Sequence, residues 1–156
     1  MSERRRIALT ADEVTALMGA QRKLQLGTIN PDGTPHMVTM FHAVIEDKIA
    51  FWTYRSSQKA RNIARDPRVT CLIESGEDYF ELSGALIYGK AEVVTEPNRV
   101  RYVGTEVVRR MMDLTHGSGG DDEIAPFVDA TAAKRHAYLV EPVRVASWDH
   151  RKLAGN

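Results

Sequence analysis

Two spacings of apolar residues take turns along this chain and divide it into strands and a few helices. In ALTADEVTALMG, Val14, Leu17 and Met18 recur at helical intervals behind Thr10 and Glu13. Those two residues have the spacing of a capping box, so a short helix is expected, ended by Gly19. From Leu24 the period shortens. LQLGTIN and PHMVTMFHAVIE flank Pro31-Asp32-Gly33-Thr34, where Asp-Gly supplies a positive-φ position, and the two runs predict a hairpin. A second turn at Glu46-Asp47-Lys48 leads into IAFWTY, whose β-branched and aromatic residues predict a third strand paired with the second.

RSSQKARNIARDP then interrupts the strands with a short helix. Ser56 or Ser57 caps it, Ala60, Ile63 and Ala64 form its apolar stripe, and Pro67 forces an end by Asp66. RVTCLIES and YFELSGALIYGKAEVVTE are strand-like again, and Gly84 and Gly89 inside the second run predict bulges that curl a sheet. Pro97 opens a longer helix in which Val100, Val103, Val107, Met111 and Leu114 recur, before a loop at Gly117–Gly120. HAYLVEPVRVASW forms the last strand. Strands outnumber helices and join mostly by short turns. The expected fold is therefore mainly β with some α: a small closed or half-closed antiparallel barrel with flanking short helices.

Length and charge narrow the function. The 156 residues fit one domain spanning 1–156. Lys plus Arg number 21 and Asp plus Glu number 21, so no net field holds nucleic acid or an anionic membrane surface. No apolar run approaches the ~20 residues that span a bilayer, and the N-terminal segment has no signal-like core, so a cytoplasmic protein without nucleic-acid or membrane partners is expected. The single cysteine, Cys71 within VTCLI, reads as a small buried hydrophobe. His36, His42, His116, His136 and His150 show no helical pair spacing, so no metal site is expected. HGSGGDDE reads as a connector, and Glu81 and Glu92 lie too far apart along one strand run to act as a carboxylate pair.

Chemistry concentrates in IAFWTYRSSQKARNIARDPRV. A strand feeding a serine turn and a helix start brings free N–H groups, hydroxyls and the positive end of the helix dipole to one place, with Lys59 in the first turn and Arg55 just before it. The spacing fits an anion site and a capped surface helix with a solvated basic face equally well.

The segment WTYRSSQKARNIARDPRVTCLIE resembles a stretch of the pyridoxamine 5′-phosphate oxidase-like family. LGTINPDGTPHMVTM is similar to that family's opening hairpin, ELSGALIYGKAEVV to its central strand, and PVRVASWDHRKL to its last. The resemblance implies an FMN-binding type of split β-barrel, assembled as a homodimer with a flavin-type cofactor across the interface. Trp52 and Thr53 would then flank the ring or ribityl chain, Ser57 and Lys59 would contact the phosphate, Met37, Val38, Thr39 and Met40 would lie along the isoalloxazine, and Trp148 would cover it. Where the FMN-dependent oxidases carry cations, this chain has Met37, His42 and Gln58. PDGTPHMV and SQKARNIARDPRV are closer to the branch that uses the deazaflavin F420, common in actinobacteria. Arg55, Lys59, Arg61, Arg65 and Arg68 would offer that cofactor's anionic tail a basic surface. The implied activity is an F420H2-dependent reductase delivering hydride to an unsaturated small-molecule substrate. The alternatives are an FMN-dependent oxidase and a non-catalytic flavin- or haem-binding dimer. Trp52, Trp148 and the long apolar strands carry more apolar surface than one small barrel leaves exposed, which also points to a homodimer.

Overall fold

The computed structural model of the chain describes residues 2–114 and 120–154. Among them, seven strands form one antiparallel sheet: β1 (Lys23–Ile29), β2 (Pro35–Phe41), β3 (Ala43–Ile45), β4 (Lys48–Tyr54), β5 (Arg68–Ser75), β6 (Ser83–Val94) and β7 (Arg135–Asp149). Their order across the sheet is β2-β1-β5-β6-β7-β4-β3. The helices are α1 (Glu3–Arg6), α2 (Ala11–Ala20), α3 (Gln58–Arg65), α4 (Pro97–Met111) and α5 (Asp121–Ala132). The two edges of the sheet, β2 and β3, are consecutive in the chain, so the sheet curls until they meet at His42. Beyond that point β4 pairs with β3 and β7 but not with β2, and the barrel stays split between β2 and the C-terminal end of β4.

Local chemistry places most boundaries. Thr10 and Glu13 make the reciprocal capping box of α2, and Gly33 turns the β1–β2 hairpin at φ 86° while the Asp32 carboxylate accepts from the Thr34 N–H and hydroxyl. Glu46 and Asp47, both at positive φ, close the β3–β4 turn. PHMVTMFHAVIE, expected as one strand, is broken at His42, whose buried ring turns inward to the Met18 carbonyl. The expected bulge at Gly89 is present: the β6–β7 register shifts between Tyr88 and Gly89, leaving Val143 as the extra residue. Gly84 makes no bulge. It stays in register opposite Trp148, and its missing side chain leaves room for that indole ring.

The connector expected in HGSGGDDE falls partly outside the described residues, over 116–119, and its acidic end is the first turn of α5. The α5 helix was hidden by its weak apolar stripe, only Ile124 and Val128 being buried, and by Pro126 inside it. It is held by α4: buried Arg109 pairs with Asp121, and Arg101 with Asp129 at 2.6 Å.

The sheet is packed on both faces at β4. Ile49 and Phe51 join Leu24, Leu26, Cys71, Ile73 and Tyr138 inside the barrel. Ala50 and Trp52 point the other way, into a second core with Val103, Val107 and Val108 of α4 and Ile124 and Val128 of α5. This is why IAFWTY is continuously apolar instead of alternating. Cys71 is buried, and burial pushes its thiol up to about 12, as suits a packed hydrophobe.

Candidate functional site

The split in the barrel is the place to which the sequence-predicted residues point. One wall is β2, whose outer backbone edge has no partner strand among the described residues. The other begins at the end of β4 and continues into α3. Ser57 caps α3 by accepting from the Ala60 N–H at 3.2 Å, and the Thr53 hydroxyl donates to Ser57 Oγ at 3.4 Å. Fully buried Asn62 anchors the helix. Its amide donates to Thr28 Oγ1 and Asn30 Oδ1, both at 3.0 Å, and its oxygen accepts from Gln58 Nε2 at 2.8 Å. These bonds fix the start of α3 against the β1–β2 hairpin. Between them lies an open cleft of about 720 Å³ lined by Asn30, Asp32, His36, Met37 and Gln58. Met37 and Pro35 also line an adjoining, mostly apolar cavity of about 540 Å³ that reaches Gly27, Tyr88 and Val143.

The expected residues divide by face. Met37 and Thr39 of β2 are exposed, whereas Val38 and Met40 pack against the barrel core and offer only backbone. Trp52 is 5% exposed and packed on Gly104 of α4. Trp148 stands at the far end of β7: Trp52 pairs with Ala137 and Trp148 with Gly84, a separation on the order of 35 Å of strand. One chain therefore does not bring the two tryptophans together. Arg55 donates to the Ala133 carbonyl at 2.8 Å, Arg61 to Gln58 Oε1 at 2.9 Å, and Arg65 to the Ile29 carbonyl. Arg68 is neutralised by Asp66, whose carboxyl its hydrogen bonds hold down at about 2. Of the basic run, Lys59 alone has no hydrogen-bond or ion-pair partner among the described residues. Burial, and then the charge of Arg135, hold its ammonium below the ordinary lysine value.

Arg135 is a residue that sequence reasoning missed. It opens β7 opposite Tyr54, and its guanidinium lies 4.5 Å from the Trp52 ring centre and 4.1 Å from that of Tyr54. No acid pairs with it among the described residues. The only signal was a basic doublet, Lys134-Arg135, before the last strand; its neighbours depend on a β4–β7 register that no local pattern encodes. His42, by contrast, is buried and neutral, so it places no charge at the split.

A curled antiparallel sheet left open between β2 and the end of β4 defines a split β-barrel protein. Residues 10–149 match the pyridoxamine 5′-phosphate oxidase family model, and the chain belongs to that family. It superposes on the conserved hypothetical protein Rv2991 from Mycobacterium tuberculosis with TM-score 0.88 and 38% identity, over 99% of this chain and 93% of that one. An F420 reductase aligns with TM-score 0.62 and 22% identity, over 83% and 93% of the two chains. A FAD-binding protein from Mesorhizobium loti aligns with TM-score 0.62 and 14% identity, over 90% and 94%. No curated protein matches. The last two structures share the fold.

Proposed function

We propose that this chain is an F420-dependent reductase of unsaturated organic molecules, acting as a homodimer. The observation that carries the reading is the pairing of two spaces. An open cleft lined by Asn30, His36, Met37 and Gln58 runs along the β2 edge beside the start of α3, and it adjoins an apolar cavity through Pro35 and Met37. The residues fit a phosphorylated tricyclic cofactor. Ser57 and Lys59 would hold its phosphate, with the α3 N–H groups adding to the same field. The backbone of Met37, Val38, Thr39 and Met40 would meet the polar edge of the ring, and Thr53 the ribityl chain. Arg55 and Arg61, hydrogen-bonded only to neutral groups, keep their charges for tail carboxylates. When bound, the reduced deazaflavin supplies hydride from its reactive ring carbon. The chain's own part is to orient, to hold charge and to keep water out of the apolar cavity in which the substrate lies.

F420 is favoured over FMN by what stands at the cleft. Met37 and Gln58 are uncharged and His42 is buried, so a compact clamp for a phosphate monoester lacks cations there. Exposed charge pairs contribute about 0.2–1 kcal/mol each, so the tail should give a modest preference that shrinks as salt rises. Fluorescence titration is expected to give micromolar or tighter F420 binding, weaker FMN binding, and colourless protein from a host that makes only FMN. Yellow protein with stoichiometric FMN, or tighter FMN binding at every salt concentration, would replace this reading with the FMN-dependent one.

A further inference from the structure

Arg135 has more unspent donors than its packing requires. Among the described residues its side chain makes no hydrogen bond, and its Nε is buried without a partner. The rings of Trp52 and Tyr54 hold the guanidinium in place, so little rotamer freedom remains to be lost when something binds it. Arg135 pairs with Tyr54 beside Thr53, whose hydroxyl donates to Ser57 at the cap of α3. Lys59 in the first turn of that helix therefore feels its charge, and Arg55 presses in the same way on His136. A structure that gathers Lys59, Arg135 and Arg55 at one strand end, with no carboxylate paired to any of them among the described residues, leaves that repulsion unrelieved. An anion relieves it.

We propose that Arg135 is a direct anion-binding residue at the end of β4, forming with Lys59 a two-cation seat for the phosphate of a phosphorylated ligand. The inference rests on the proposed phosphate site at Ser57 and Lys59 and adds the residue that gives the site its fork. A guanidinium presents two parallel N–H donors to two phosphate oxygens, and Lys59 supplies a point charge to the third. Packing alone would need neither the positive charge nor freedom from acids, since an apolar side chain fills the gap between two rings as well.

Calorimetric titration with inorganic phosphate and, separately, with F420 tests the seat in the wild type and in the Lys59→Ala, Arg135→Gln, Arg135→Met and Arg135→Lys variants, with thermal unfolding as the control for folding. Arg135→Gln and Arg135→Met are expected to weaken both probes by about tenfold or more, as Lys59→Ala does, and to flatten the salt dependence. Arg135→Lys keeps the charge without the fork and is expected to lose about two- to fivefold. A folded Arg135→Gln or Arg135→Met that binds both probes like the wild type, even with a lowered melting temperature, would overturn the seat and reduce Arg135 to packing. If only Arg135→Lys folds, wild-type affinity in that variant has the same meaning. Phosphate binding that depends on Arg135, without F420 binding, would overturn the functional reading and leave the seat standing. F420 binding indifferent to Arg135 would do the reverse.

Discussion

His42 shows how a single residue ties stability to pH. Its ring is fully buried where β2 gives way to β3, and Nε2–H donates to the Met18 carbonyl at 3.0 Å, which leaves Nδ1 without a partner. Burial, with help from the charge of Arg110, lowers its pKa from 6.5 to about 4. The unfolded chain therefore takes up a proton that the fold refuses. The stability this gives is complete above pH 6.5 and is lost as pH falls toward 4, an effect on the order of 3 kcal/mol. His136, lowered by burial and then by Arg55, acts in the same direction but is more exposed. Melting temperature is expected to hold steady above pH 6.5 and decline between 6.5 and 4. His42→Gln, which keeps a donor for Met18, should remove most of that decline while the steeper loss below pH 4 from paired carboxylates such as Asp66 and Asp149 persists. An unchanged profile in the variant would assign the acid sensitivity elsewhere.

Between elements, the contact that decides is α4 against β4. Gly104 lies on the buried Trp52 ring, and a Cβ there would collide with it. Helix propensity argues the other way, since alanine gains about 1 kcal/mol over glycine within a helix. Trp52 is held by α4 on one side and Arg135 on the other and has no room to retreat, so overpacking of about 1–3 kcal/mol should prevail. Gly104→Ala is expected to be net destabilising, by up to about 2 kcal/mol in urea denaturation; a stabilised variant would mean that the helix shifts freely. The same contact marks where the sequence stopped being legible. Helices α2, α3 and α4 and the turns at Gly33 and Asp47 are written locally, in Thr10, Ser57, Pro97 and positive-φ residues. That Trp52 turns away from the barrel to meet α4 is not, because an all-apolar strand carries no mark of which face meets which core. Lys59 and Ser57 were legible as a candidate site for the same local reason. Arg135 was not, because its place beside them comes from pairing two strands far apart in sequence.

At the scale of the whole molecule, what remains uncovered is the outer face of the sheet. Helices α4 and α5 bury Trp52 and Leu139 and close the β3–β4–β7 side, so Trp52 cannot supply the exposed apolar surface that a dimer would need. The exposed apolar side chains here are Met37 and Val143, 55% and 71% exposed at the apolar cavity, and Val145, 44% exposed two residues further along β7. The bulge after Pro142 pushes Val143 outward, where it has no intramolecular reason to be apolar. A second copy laid on this face would bury those side chains and wall the cavity. It would also be the only route by which Trp148, remote from the split of its own chain, meets a cofactor held by another. A stable assembly of this kind covers about 800 Å² per subunit. Sedimentation is expected to show a dimer at micromolar concentration. Val143→Glu should raise its dissociation constant at least tenfold, about 1.4 kcal/mol, without lowering the melting temperature of the isolated subunit. The dimer's loss should also weaken F420 binding, because half of each site's cover would leave with the partner. A wild-type monomer at micromolar concentration would refute the assembly, and a Val143→Glu dimer as tight as the wild type would move the interface to another face.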